Sequence, residues 1–123
     1  KEELEKVEEK YFLITGQKMT KFFRPPAGRF NKESLLKVAN LGYTTFFWSI
    51  AYKDWLVKDQ RGADHSYTQV MENLHNGAII LMHTVSSDNL EALPKIIDGI
   101  RNAGYEIKNL DYLVQTYPLK KIA

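Results

Sequence analysis

The 123 residues carry 17 Lys or Arg against 15 Asp or Glu, a formal net charge of +2, with 44% hydrophobic and 26% charged residues. That balance fits one globular domain with a modest core, and the interleaved charges give no electrostatic case for nucleic acid. The absence of cysteine excludes disulfides, thiolate metal sites and a cysteine nucleophile, and no apolar run is long enough to span a bilayer.

The opening "KEELEKVEEKYFLITG" predicts a helix over about 1–15. Leu4, Val7, Tyr11 and Leu13 fall roughly on one stripe, with Glu and Lys covering the rest. These residues hold neither an initiator Met nor a secretory leader pattern. A sequence that begins inside an amphipathic helix is expected to be a piece, or a processed product, of something longer.

"TKFF" predicts a short strand at about 20–23. Asn31 is suited to N-cap a helix at about 32–41, which Gly42 closes. "YTTFFWSI" is rich in β-branched and aromatic residues and predicts a buried strand. After a long loop, Asp64 is placed to cap a helix running to His75, ended by Asn76-Gly77. "AIILMH" predicts the next strand. Asp88 with Glu91 forms a weak capping box for a long helix ending at Gly104. Pro94 within it predicts a kink or a later helix start. "YEIKNL" predicts a last short strand, and "DYLVQTY" a turn or short helix.

Strands alternating with helices predict an α/β fold built of parallel βαβ units. In such sheets and barrels the chemistry gathers at the C-terminal ends of the strands. Arg24, the "AYKDW" loop and His83 each follow a predicted strand, so parallel pairing is expected to bring them to one face. Four strands are too few for a closed barrel.

His83 ends the apolar run "IILMH", where a histidine either packs with a satisfied hydrogen bond or serves a site. Asp54, at a neighbouring strand end, is placed to hold one ring nitrogen, fix the tautomer and favour the charged ring. An imidazole held in this way is suited to protonate a leaving group. Arg24 reads either as a surface arginine paired with a helix acid or as a stiffly mounted guanidinium. Pro25 and Pro26 fix the loop behind it, which suits bidentate recognition of a carboxylate. Trp48 is expected in the core. Trp55 follows Asp54 in a loop, where it either stacks on a sugar or walls a cleft, or is buried against the rim of the fold. His75 reads as structural, at a helix end, and His65 has no spaced partner. No histidine pair has short ligand spacing, so no metal site is expected on this chain alone.

"RPPAGRFN", "WSIAYKDW" and "IILMHT" resemble the third, fourth and fifth motifs of the polysaccharide deacetylases, carbohydrate esterase family 4, also called the NodB homology domain. The longer match through "FFRPPAGRFN", "FWSIAYKDW", "DQRGA" and "DNLEALPKIIDGIR" is most similar to the branch that makes muramic δ-lactam in spore cortex peptidoglycan. The resemblance covers nearly the whole of 1–123 and implies the C-terminal portion of one distorted (β/α) barrel. It implies a metal-dependent N-deacetylase in which a divalent metal, usually zinc, is held by one aspartate and two histidines, and a second aspartate is the general base. His83 would be the general acid, Asp54 its tuning partner, and Arg24 the residue that orients the base. Trp55 and Leu81 would line the pocket for the acetyl methyl.

Ala51 stands where many members have an aspartate. The first motif (TFDDG-like) and the second (a close histidine pair) are expected upstream of Lys1, together with the base and all three metal ligands. The 123 residues alone are therefore expected to be inactive and to bind no metal. The parent is expected to act on a cell-wall glycan, N-acetylmuramic acid in peptidoglycan, at an extracytoplasmic or spore-associated site. The alternative is a non-catalytic glycan-binding or assembly module derived from the same fold. An open half-barrel also predicts self-association or swapping between chains. A phosphate-binding domain lacks its glycine-rich loop here.

Overall fold

The computed structural model describes residues 1–118. They fall into two compact units, one of residues 1–47 and one beginning at Trp48.

In the first unit, α1 spans Glu2–Thr15, with Glu2, Glu3 and Glu5 in its first turn complementing the helix dipole. Gly16 closes it at φ 70°, its N–H bonded to the Phe12 carbonyl, a conformation that costs glycine nothing. The predicted stripe of α1 is not a core face: Val7 is 53% and Leu13 76% exposed, and no residue of the helix is buried. The tie from α1 is polar. Tyr43 Oη donates to Glu8 Oε1 at 2.6 Å, and Lys21 Nζ lies 3.2 Å from the same oxygen. Burial, followed by the Glu8 carboxylate, pushes the Tyr43 phenol up to about 12, so it remains a donor at neutral pH.

β1 (Phe22–Phe23) pairs in parallel with β2 (Thr44–Thr45), Phe22 opposite Thr44 and Phe23 opposite Thr45. Between them lie a 3₁₀ turn, Pro26–Gly28, and α2, Lys32–Asn40. Asn31 caps α2 as its sequence implied. Its Oδ1 accepts from the Ser34 N–H at 2.7 Å, and Ser34 Oγ accepts from the Asn31 N–H at 3.0 Å, a reciprocal box. Gly42 ends the turn at φ 83°.

In the second unit, α3 spans Ala63–Met71, α4 Ser87–Asn102 and α5 Leu110–Thr116. Ile50 and Ile80 form an isolated parallel bridge. Asn89, Ala92, Ile96 and Ile100 are the buried residues of α4; their spacing of three and four puts them on one face. Ala92, Ile96 and Ile100 pack with Tyr52 and Val70, flanked by Tyr67, Met71, Ile80 and Met82. Trp48 is only half-buried, not the core residue expected.

Several predicted boundaries are corrected. Asp64 is not a cap: Gly62 holds the N-cap position of α3 at φ 93°, without a side-chain bond, and Asp64 instead receives a bond from Lys95 Nζ at 3.0 Å. That helix stops at Met71, short of His75, because Asn73 Nδ2 takes the Gln69 carbonyl at 2.9 Å, the bond a continuing helix would give to the backbone N–H of residue 73. Ser86, not Asp88, caps α4, its Oγ accepting from the Asn89 N–H at 3.1 Å. Pro94 neither breaks α4 nor delays its start. Proline removes the bond to the carbonyl four residues back, which here belongs to Leu90, 76% exposed, where water can serve it.

The apolar runs yield less strand than predicted. "YTTFFWSI" is laddered only at Thr44–Thr45, with Ile50 in a bridge. Its backbone bonds change partner along the way: the Phe46 N–H donates to the Phe23 carbonyl, and those of Ser49 and Ile50 to the Ile79 carbonyl. "AIILMH" pairs only through Ile80. "YEIKNL" forms no strand, because no neighbouring strand pairs with it among the described residues, and a strand needs a partner for its backbone groups. Asn109 instead caps α5, accepting from the Tyr112 N–H at 2.9 Å.

Ile96 is 2% exposed at the centre of this packing. Ile96→Ala is expected to destabilise the chain by about 2–5 kcal/mol, whereas Leu90→Ala, on the exposed face of the same helix, is expected to stay within about 0.5 kcal/mol. Urea unfolding of the two variants checks this; equal losses would mean that α4 does not bury the face assigned to it.

Candidate active site

Asp54 lies two residues after the buried Tyr52, in the loop between the Ile50 bridge and α3. Its side chain is 1% exposed, so both carboxylate oxygens need protein donors. Oδ1 receives the His83 ring nitrogen Nδ1 at 2.7 Å. Oδ2 receives the His83 backbone N–H at 2.7 Å and Asn89 Nδ2 at 2.6 Å. Burial pushes the carboxyl up, but the bonds from the His83 N–H, from Asn89 and from the His83 ring outweigh it and hold Asp54 below the usual carboxylate range. An ionised carboxylate only accepts, so Nδ1 carries the ring proton. Nε2 is then the nitrogen left for chemistry, on a ring side chain 30% exposed.

His83 reaches this position because the run before it alternates. Ile80 and Met82 pack against the core cluster, and period-two alternation turns Leu81 and His83 to the other side. Leu81 is half-buried, and its N–H is held by the Ile50 carbonyl at 2.9 Å. Trp55, half exposed, stands edge-on to the His83 ring with centroids 5.7 Å apart. The structure therefore brings Asp54, His83 and Trp55 together. Arg24 belongs to the unit of residues 1–47, exposed, directly after β1 and before the buried Pro25.

Residues that sequence reasoning did not single out build the rest. Gln60 spans the loop: its Nε2 donates to the Leu56 carbonyl at 2.8 Å and the Asp54 carbonyl at 3.4 Å. Its Oε1 accepts from Ser86 Oγ at 2.7 Å and the Asp88 N–H at 3.2 Å. Asp88 Oδ2 accepts from the Gly62 N–H at 2.7 Å. Asn89 was detectable as a polar residue on the otherwise apolar stripe of α4. Gln60 carried no signal of its own.

His65 sits edge-on to Tyr52, centroids 6.4 Å apart, and His75 Nδ1 bonds the Asn73 carbonyl at 2.9 Å. Among the described residues no three His, Asp or Glu side chains converge on a point that could hold a metal. Asp54 cannot begin such a set, since N–H donors occupy both its oxygens. Among the described residues no set of side chains fits a divalent metal.

Asp54→Asn places an amide among donors and is expected to cost about 1.5–3 kcal/mol at neutral pH, the range for hydrogen bonds to a charged group. Because the folded carboxyl lies below its unfolded value of about 3.9, this stabilisation is complete above that value and is lost as pH falls through the folded value. Urea unfolding of both proteins from neutral to acid pH should show a constant gap that narrows below about pH 4. A gap unchanged through the acid range would mean that Asp54 contributes no charge to the fold.

No family model matches the chain. Peptidoglycan-N-acetylmuramic acid deacetylase PdaA of Bacillus subtilis (strain 168) is 41% identical over 113 residues, covering 92% of this chain and 43% of that protein. The solved structure of Bacillus subtilis PdaA, a family 4 carbohydrate esterase, matches with a TM-score of 0.87 at 39% identity, over 91% of this chain and 48% of that one. BA3943 of Bacillus anthracis, described as a pseudoenzyme of the same esterase family, matches at 0.79 and 31% identity, over 90% and 38%. The chain thus spans less than half the length of each of these relatives. Its α/β fold, with parallel strands, is part of the NodB-like (β/α) barrel of these proteins. With likeness over nine-tenths of its residues in both sequence and structure, the chain is homologous to part of the polysaccharide deacetylases of carbohydrate esterase family 4.

Proposed function

We propose that this chain forms the acid side of a metal-dependent N-deacetylase of cell-wall glycan, with N-acetylmuramic acid in peptidoglycan as the sugar. The observation that carries the reading is the His83–Asp54 pair: Nδ1 is fixed on a buried, ionised carboxylate at 2.7 Å, while the ring remains 30% exposed. In amide hydrolysis a C–O bond forms from water, the C–N bond breaks, and the departing nitrogen needs a proton. Nε2 of a charged His83 delivers it, and Asp54 stabilises the imidazolium before that transfer. Trp55 and Leu81 wall the space for the acetyl methyl. Arg24 orients the carboxylate of the base through its guanidinium fork.

The base and the ligands of the metal, zinc by the family resemblance, are assigned to residues outside these 123. The chain is read as the C-terminal portion of one deacetylase domain, acting outside the cytoplasm at the wall or spore. PdaA, by its name, supports the muramic acid assignment. BA3943, a pseudoenzyme by its description, favours a second reading, in which the chain is a non-catalytic glycan-binding or assembly module.

Zinc calorimetry on the 123-residue chain, with acetate release from peptidoglycan as the second readout, separates these outcomes. The chain alone is expected to bind no zinc at micromolar strength and to release no acetate. A longer protein carrying the first two motifs is expected to release acetate, and His83→Ala in that protein to slow release by about 10²–10⁴-fold. One tight zinc per chain would overturn the assignment of the ligands. No release by the longer protein would favour the binding module. Self-association of the isolated chain is also expected, since Phe12, Leu13 and Ile14 of α1 are exposed and apolar patches of this kind favour pairing; a monomer by light scattering that unfolds cooperatively would argue against it.

A further inference from the structure

Asn89 is 5% exposed and makes four hydrogen bonds. Its Oδ1 accepts from Tyr52 Oη at 2.6 Å. Its Nδ2 donates to Asp54 Oδ2 at 2.6 Å and to the His83 carbonyl at 3.1 Å. Its N–H donates to Ser86 Oγ at 3.1 Å. The partners fix which way the amide points: turned over, Oδ1 would face a carboxylate and a carbonyl, neither of which can donate. Tyr52, buried in the core cluster, has a hydroxyl raised above its ordinary value chiefly by burial, so it donates and holds the amide in this sense.

The consequence reaches the imidazole. Asp54 Oδ2 is held by two N–H groups, one from Asn89 and one from the His83 backbone, and that leaves Oδ1 aimed at Nδ1. Without Asn89, Oδ2 keeps a single donor and the carboxylate gains freedom to turn. Which ring nitrogen of a neutral histidine bears the proton is set by the bond the other one makes.

We propose that Asn89, aligned by the Tyr52 hydroxyl, is a positioning residue that holds the Asp54 carboxylate so that His83 carries its ring proton on Nδ1 and presents Nε2 to the substrate. Its catalytic consequence rests on the deacetylase reading; its effect on the tautomer does not. Asn89 touches neither substrate nor reacting atom, and acts through Asp54.

Long-range proton–nitrogen NMR of the His83 ring in the 123-residue chain, recorded at a pH where the ring's own nitrogen shifts show it to be neutral, tests the proposal. The unsubstituted chain is expected to show the Nδ1–H form. Asn89→Asp keeps the shape and the acceptor facing Tyr52 but sets oxygen against Asp54. Asn89→Ala removes all three side-chain bonds, to Tyr52, Asp54 and the His83 carbonyl. In each, the ratio of Nδ1–H to Nε2–H is expected to fall roughly tenfold, the shift carried by one hydrogen bond to a charged group. Tyr52→Phe keeps the ring in the core and is expected to shift the ratio in the same direction by less; it decides the matter if either Asn89 variant does not fold. An unchanged Nδ1–H form in the folded variants overturns the proposal. A shifted tautomer, in a longer protein that releases no acetate, supports the positioning role and removes only the deacetylase reading.

Discussion

The candidate site of the second unit is arranged around one buried carboxylate. Removing an ion from water is costly unless hydrogen bonds replace its hydration, and Asp54 has three N–H donors within 2.7 Å. Two come from a single residue, so backbone and ring of His83 are held together. The third comes from α4. The strand end, the loop and the helix are thus located relative to one point, with little freedom left for the imidazole.

The polar bonds around that point and the apolar core below it reinforce each other. Gln60 ties the loop after Asp54 to the first turn of α4, and Asp88 ties the same turn to Gly62. The apolar stripe Ala92, Ile96 and Ile100 then packs on Tyr52 and Val70. Asn89 is where the two meet, at the head of the stripe and within the network. Among the described residues no buried side-chain nitrogen or oxygen lacks a partner, as a low-dielectric site of this kind demands. This packing also accounts for a helix that runs through Pro94, since the proline lies off the buried face.

Elements whose causes are local were legible. The Asn31–Ser34 box joins residues three apart, and the stop at Gly42 needs only a left-handed residue. Elements whose causes are distant were over-read or misplaced. A run such as "YTTFFWSI" has strand composition along its whole length, yet ladders only where another segment offers carbonyls in register. Asp64 and Asp88 have the chemistry of caps, but Lys95 and Gly62 claim their carboxylates instead, and both partners lie more than twenty residues away. In α1, four apolar residues on a stripe did not make a buried face.

For the site, the sequence by itself determined which side chains stand at the ends of apolar runs, the stiff prolines behind Arg24, and the motifs that mark the family. It also fixed the alternation that turns Leu81 and His83 away from the core. Only the tertiary structure decided what those side chains meet. The contacts that orient His83 join residues 29, 35 and 37 positions apart, and no local rule connects such positions. They form because burying the face of α4 and pairing Ile50 with Ile80 carry Tyr52, Asp54, His83 and Asn89 to one place, and once there a carboxylate out of water must collect every donor within reach.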